Sequence, residues 1–154
     1  LIFNNFYDWF KKYNPIPLHI ELKVASSDLR YSYGGTVDFI GMIDGETWLI
    51  DWKTSNQFQD TYLVQAYAYA QLVRFKLGLK IDRVGVLHIK ARYKKEGVNV
   101  RGDSYGPGWC MHEVKSKDKK DLQKDMEAAL WLWQRYINTR PYKLTFPEKW
   151  QNDI

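Results

Sequence analysis

Thiols are nearly missing from this chain. Its one cysteine, Cys110, excludes an intrachain disulfide framework and any all-cysteine metal site. A reducing compartment is the simple expectation, with the cytoplasm as its location. Long apolar runs are missing too. No stretch approaches the roughly 20 residues needed to cross a bilayer, so no membrane partner is expected. There is no signal-peptide pattern, no internal repeat and no low-complexity linker. The chain opens on Leu1 rather than Met, which raises the expectation of an upstream N-terminal segment.

What is present is a single domain's worth of chain, 154 residues, with 45% hydrophobic residues including 7 Trp, 11 Tyr and 7 Phe. That much apolar material supports a packed core and argues against global disorder. The formal net charge of +5 suits a polyanionic partner without requiring one.

The hydrophobic spacing alternates between two periods. Ile2, Phe3, Phe6, Trp9 and Phe10 recur at helical spacing over residues 2–12, and Asn14, Pro15 and Pro17 end that segment. Residues 18–25 alternate as a strand. Two further apolar runs flank Asp44-Gly45, a strong signal for a hairpin with a two-residue type I′ turn. A helix follows over 58–78, then strands over 82–93 and 109–115 separated by a glycine-rich loop, and a last helix over 117–138. The expected order is αβββαββα, a mixed central sheet flanked by helices.

The hairpin carries the chemistry. With a two-residue turn at Asp44-Gly45, Ile43 pairs with Glu46, and continuing outward sets Asp38 opposite Asp51. Their side chains then share one sheet face with Cβ atoms about 4.5–5.5 Å apart, where like charges destabilise a sheet. A divalent cation offsets that repulsion, since carboxylate oxygens are the preferred ligands of Mg²⁺ and Mn²⁺. Lys53, two residues past Asp51, points to the same face and can orient a water or stabilise a phosphate. Ile50 and Trp52 point the other way, toward the core. The bland alternative is a solvated face with an exposed ion pair, worth under about 1 kcal/mol. A one-residue slip of register would separate the aspartates onto opposite faces.

The segments GTVDFIG and LIDWKTS, followed by a helix bearing Gln65-Ala66-Tyr67-Ala68-Tyr69, resemble the core of the PD-(D/E)XK nucleases, and within them the RecB-like exonuclease domains. The resemblance covers about residues 18–90. It implies a restriction-endonuclease-like core and a Mg²⁺- or Mn²⁺-dependent deoxyribonuclease from a bacterium or phage. Such an enzyme works in recombination, repair or phage DNA processing, with DNA and proteins of that machinery as partners. It casts Asp38 and Asp51 as metal ligands, with the backbone carbonyl of Trp52 as a further ligand. Lys53 becomes the catalytic lysine, and Gln65 and Tyr69 position the substrate strand. Glu21 stands where the family often has an acidic residue on the first core strand, as a ligand through water or as a partner of the ligands; a solvated strand carboxylate is the equal alternative. The family's upstream histidine has no clean match, because His19 stands too close to Glu21. One cysteine also cannot supply the four that an iron–sulfur member uses. The rival expectations are a non-catalytic nucleic-acid-binding module and a structural domain of a larger repair machine.

Other residues read as structure. His88 and His112 are expected to be structural strand histidines, Trp131 and Trp133 core residues, and Cys110 a buried or half-buried thiol. Lys115–Lys124 reads as a solvated helix start. Arg74, Lys76 and Lys80, together with Arg30, Lys90, Arg92, Lys94 and Lys95, are either a track for a phosphate backbone or a solvated face.

Overall fold

A computed structural model describes residues 2–27, 32–55, 57–90 and 108–137. The elements are α1 (Ile2–Tyr13), β1 (Ile16–Ser26), β2 (Tyr33–Ile43), β3 (Glu46–Lys53), α2 (Thr61–Leu77), β4 (Arg83–Ile89), β5 (Trp109–Glu113) and α3 (Lys119–Ile137). A short 3₁₀ turn, Ser116–Asp118, leads into α3. The order is the αβββαββα read from the sequence. Residues 91–93 of the expected fourth strand, most of the glycine-rich loop, Arg30, Arg92, Lys94 and Lys95 lie outside the described residues.

The five strands form one sheet in the order β1-β2-β3-β4-β5. All neighbours are antiparallel except β3 and β4, which run parallel. A parallel pair needs a crossover, and α2 supplies it. Each face of the sheet carries its own core. On one face Leu49, Val84 and Val86 meet Ala66, Ala70 and Val73 of α2, and Leu122 and Met126 of α3 join them. On the other, Phe39, Ile50, Leu87 and Ile89 pack against Trp9, with Phe6 and Phe10 of α1 alongside. Asn5 fastens α1 to the sheet by donating its Nδ2 to the carbonyl of Lys90 at 3.0 Å.

The turn at Asp44 and Gly45 has φ of 51° and 81°, both positive as a type I′ turn requires. It fixes the register, with Ile43 opposite Glu46 and Phe39 opposite Ile50. Leu49 accordingly faces α2, and Ile50 faces α1.

Two expectations are corrected. Trp131 and Trp133 are half exposed, at 49% and 50%. The stripe of α3 that reaches the core comprises Leu122, Met126 and Leu130; Trp131 falls on the other side of the helix, and Trp133, in line with the stripe, lies past its last core residue. Cys110 is exposed, because β5 is an edge strand and this side chain lies on the face opposite Trp109 and Met111, which join the α1-side core. Among the described residues no helix is long and apolar enough to cross a membrane.

Burial makes α1 testable. Trp9 is 1% exposed and Tyr7, two residues away, is 49% exposed. Trp9→Ala is expected to cost about 3–5 kcal/mol in urea unfolding. Tyr7→Ala is expected to stay within roughly 0.5 kcal/mol of the parent. Equal costs would mean that α1 is not seated on the sheet as described.

Candidate active site

The expected carboxylate pair lies where β2 and β3 leave the regular ladder. The paired ladder ends at Phe39 and Ile50, and Asp38 and Asp51 are the next residues along the two strands. The pleat of β2 changes phase at this point. Val37 and Ile40 both enter the α2-side core, whereas Phe39 between them enters the α1-side core. The neighbouring strand is distorted at the same level. Pairs Ile20–Phe39 and Leu22–Val37 bracket Glu21, which adopts φ of 51°. A non-glycine residue in that region costs about 1–2 kcal/mol, so the packing on either side imposes it. Glu21 is therefore at the level of Asp38 on the adjacent strand, exposed to solvent.

Asp38 is half-buried, and its Oδ2 accepts a hydrogen bond from the backbone N–H of Trp52 at 2.8 Å, which ties it to β3. Asp51 is 3% exposed. Its Oδ2 lies 2.7 Å from Lys53 Nζ and otherwise receives no hydrogen-bond donor among the described residues. Burial pushes the Asp51 carboxyl above its ordinary value; the Lys53 ammonium pulls it down and the Asp38 carboxylate adds to the rise. Lys53 sits over the ring of Tyr62 at 5.3 Å, a cation–π contact from α2.

Gln65 and Tyr69 share one face of α2, with Gln65 Nε2 donating to Tyr69 Oη at 3.0 Å. Tyr69 lies against Gly35 of β2. A Cβ at position 35 would stand 2.5 Å from the phenol oxygen, so glycine there lets α2 approach the strand. Tyr62, Gln65 and Tyr69 form one stripe along α2, from Lys53 at one end to Gly35 at the other.

The sequence reading missed the support behind Lys53. β4 runs parallel to β3 with His88 opposite Lys53. His88 is buried, and its Nε2 stands 2.7 Å from the carbonyl oxygen of Ser55 and 3.3 Å from the Ser55 hydroxyl. A carbonyl only accepts, so Nε2 carries the proton and donates to it. Phe58, in the same connection, stacks on His112 with ring centres 3.7 Å apart. Burial lowers the His112 pKa, and His88 nearby lowers it further, against an opposing pull from Asp60. The two histidines brace the segment that leaves Lys53 and enters α2. The structural role expected of both holds, but its object was not legible, because a parallel register is set by the crossover and not by a local turn.

Two carboxylates and a backbone carbonyl are a partial ligand set. Among the described residues no three His, Cys, Asp or Glu side chains gather to hold a metal. The buried, under-bonded oxygen of Asp51 beside a second carboxylate nevertheless fits a hard divalent cation. Mg²⁺ commonly keeps several waters and takes one or two protein carboxylates.

No family model matches the chain, and no curated protein matches it. Among solved structures, the chain is similar to a crystal structure from Eubacterium rectale named "Putative exonuclease", with a TM-score of 0.54 and 12% identity. The match covers 95% of this chain and 60% of that one, so the chain spans somewhat over half the length of this neighbour. At that identity the likeness is one of fold: a mixed α/β, nuclease-like core.

The electrostatics of Asp51 give a signed prediction for the metal-free protein. Its folded-state pKa is raised, so its contribution to stability is full below the ordinary value of 3.8 and is lost as pH rises through the folded value. Asp51→Asn removes that loss. In EDTA the variant is expected to be more stable than the parent near pH 7, with the difference shrinking toward about pH 4 in urea titrations. A difference that does not change with pH would rule out the ionised Asp51 as the destabilising group.

Proposed function

We propose that this chain is a metal-dependent DNA nuclease of the PD-(D/E)XK type, RecB-like in its motifs and an exonuclease of recombination, repair or phage DNA processing. The observation that carries the reading is Asp51. It is a carboxylate kept buried in a sheet, with a lysine 2.7 Å away and a second carboxylate across the strand pair. A fold has no structural need of that arrangement, because like charges at this spacing oppose strand pairing. The nuclease-like core and the name carried by the Eubacterium rectale neighbour point to the same chemistry.

In this reading Asp38, Asp51 and the Trp52 carbonyl hold Mg²⁺ or Mn²⁺, whose chemistry when bound is to polarise the scissile phosphate and lower the pKa of the attacking water. Lys53 does the rest from the protein side. Held between Asp51 and the Tyr62 ring, its ammonium orients the water or stabilises the charge that grows on the phosphoryl oxygens. Gln65 and Tyr69 hold the strand beside it. Glu21, exposed on the adjacent strand, acts through water or by orienting Asp38.

Metal binding and catalysis separate in two measurements. A ligand bound only by the folded state stabilises it, so Mn²⁺ at a hundredfold excess over its Kd is expected to raise the thermal midpoint by roughly 5–10 °C. Asp38→Asn should abolish that rise and leave the metal-free fold intact. A variant badly destabilised without metal would contradict a carboxylate pair under repulsion.

Lys53→Ala is expected to slow cleavage of labelled DNA on the order of 10³-fold, because the charge acts mainly in the transition state. DNA affinity should fall by less than about tenfold, since one cation among many contributes little to backbone binding. Near-parental cleavage by Lys53→Ala in Mg²⁺ would overturn the nuclease reading and favour a binding module on the same scaffold.

A further inference from the structure

A lysine is by itself a poorly fixed charge. Its ammonium stands on a flexible four-carbon stem and keeps one place only where something holds it. Lys53 is held from two sides. Asp51 Oδ2 lies 2.7 Å from its Nζ, and the ring of Tyr62 lies 5.3 Å away on α2. Asp51 is also a candidate metal ligand, so the ring is the partner with no share in holding a metal.

Tyr62 stands where a helix needs outside support. It is the second residue of α2, and the N-cap Asp60 makes no side-chain hydrogen bond to the first turn. The turn is closed by backbone bonds alone, Tyr62 N–H to the Gln59 carbonyl and Leu63 N–H to the Asp60 carbonyl, both 3.0 Å. Helix ends fray because their first N–H groups have no partner within the helix. A ring contact makes up for this. Phe58, just before the cap, meets Tyr62 edge to face, with ring centres 5.7 Å apart and planes at 86°. Rings prefer that arrangement, and an apolar contact across a helix start fixes the angle at which the chain enters.

Phe58 is in turn seated on the sheet. It stacks on His112 with ring centres 3.7 Å apart and planes within 13°. His88 lies beside both, 6.0 Å from Phe58 and 6.1 Å from His112. His112 belongs to β5, where it pairs with Val86 of β4, a residue with no exposed surface. The row His112, Phe58, Tyr62 and Lys53 therefore runs from an edge strand, through the connection that follows β3, to the candidate site.

We propose that Tyr62, Phe58 and His112 are positioning residues for Lys53, a row of rings that ties its ammonium to the sheet and sets where it stands beside the reacting phosphate. The inference rests on the nuclease reading and adds to it the groups that hold the charge in place. Each ring acts through the next, and the last acts on Lys53.

The test measures cleavage of labelled DNA in Mn²⁺ by the full chain and separates kcat from KM. A displacement of about 1 Å at a reacting group can cost about 100-fold in rate. Tyr62→Leu, which removes the ring but keeps an apolar side chain, is expected to lower kcat on the order of 10-fold and to leave KM within about twofold of the parent. His112→Ala, two contacts further back, should lower kcat roughly threefold. Tyr62→Phe and His112→Phe keep a ring at each place and should cut at the parental rate. In the Lys53→Ala background Tyr62→Leu and His112→Ala should cost nothing further, because the group they position is gone. One readout needs no turnover. Ring current moves protons over an aromatic face upfield, so the Lys53 Hε resonances should lie upfield in the parent and in Tyr62→Phe, and return toward the ordinary lysine position in Tyr62→Leu.

A loss in Tyr62→Leu as large with Lys53→Ala as without it would overturn the row and leave the nuclease reading standing, since the ring would then support the fold at large. A loss expressed in KM would overturn it too, by making Tyr62 a contact of the DNA strand. So would Lys53 Hε resonances at the ordinary position in the parent. A slowed Tyr62→Leu beside a parental His112→Ala would overturn the row as one unit. Parent protein that neither binds nor cuts DNA would overturn the nuclease reading, and the row's part in it.

Discussion

The facing of β3 depends on two residues with positive φ, Asp44 and Gly45. A two-residue type I′ turn matches the right-handed twist of its strands and allows one register. In that register Leu49, Asp51 and Lys53 face α2 while Ile50 and Trp52 face α1. A slip by one residue would carry Leu49 and Asp51 to the α1 side and turn Ile50 and Trp52 toward α2. Both cores would be lost together with the pairing of the carboxylates. The apolar residues of β3 therefore protect the register that the charged ones need.

The site stands against the usual preferences of a sheet. Asp51 is almost fully buried, and the strand pair around Asp38 departs from regular pleating, with Glu21 held in the left-handed region beside it. Three kinds of contact hold this in place. The Trp52 amide fixes Asp38, Lys53 approaches Asp51, and Tyr62 lies under the ammonium. Behind them, His88 holds the Ser55 carbonyl and His112 stacks on Phe58, so the chain leaving Lys53 has little freedom. Local departures of this kind persist only where surrounding structure determines them, and they concentrate at functional sites.

α2 has two duties that follow from one geometric fact. Because β3 and β4 are parallel, the chain must cross over the sheet, and the crossing helix covers the face that carries Asp51. Its apolar side closes the core. Its Tyr62–Gln65–Tyr69 stripe lies along the edge of that contact, against Lys53 at one end and Gly35 at the other.

The order of elements, the hairpin and its register, and the sharing of one face by Asp51 and Lys53 were legible in the sequence. Each depends on neighbours close along the chain: a turn dipeptide, a period of two or a period of 3.6. The placement of Gln65 and Tyr69 on one helix face was legible for the same reason. The positions that only the tertiary structure decided depend on contacts between distant segments. The parallel register of β4 sets His88 beside Lys53, and no local signal encodes it. Helical periodicity placed Trp133 with the core residues of α3, but the contact with the core ends at Leu130. The edge position of β5 left Cys110 exposed, and the phase change at Asp38 arose where β1, β2 and β3 meet. Local spacing determines which residues share a face; packing between elements decides what that face meets.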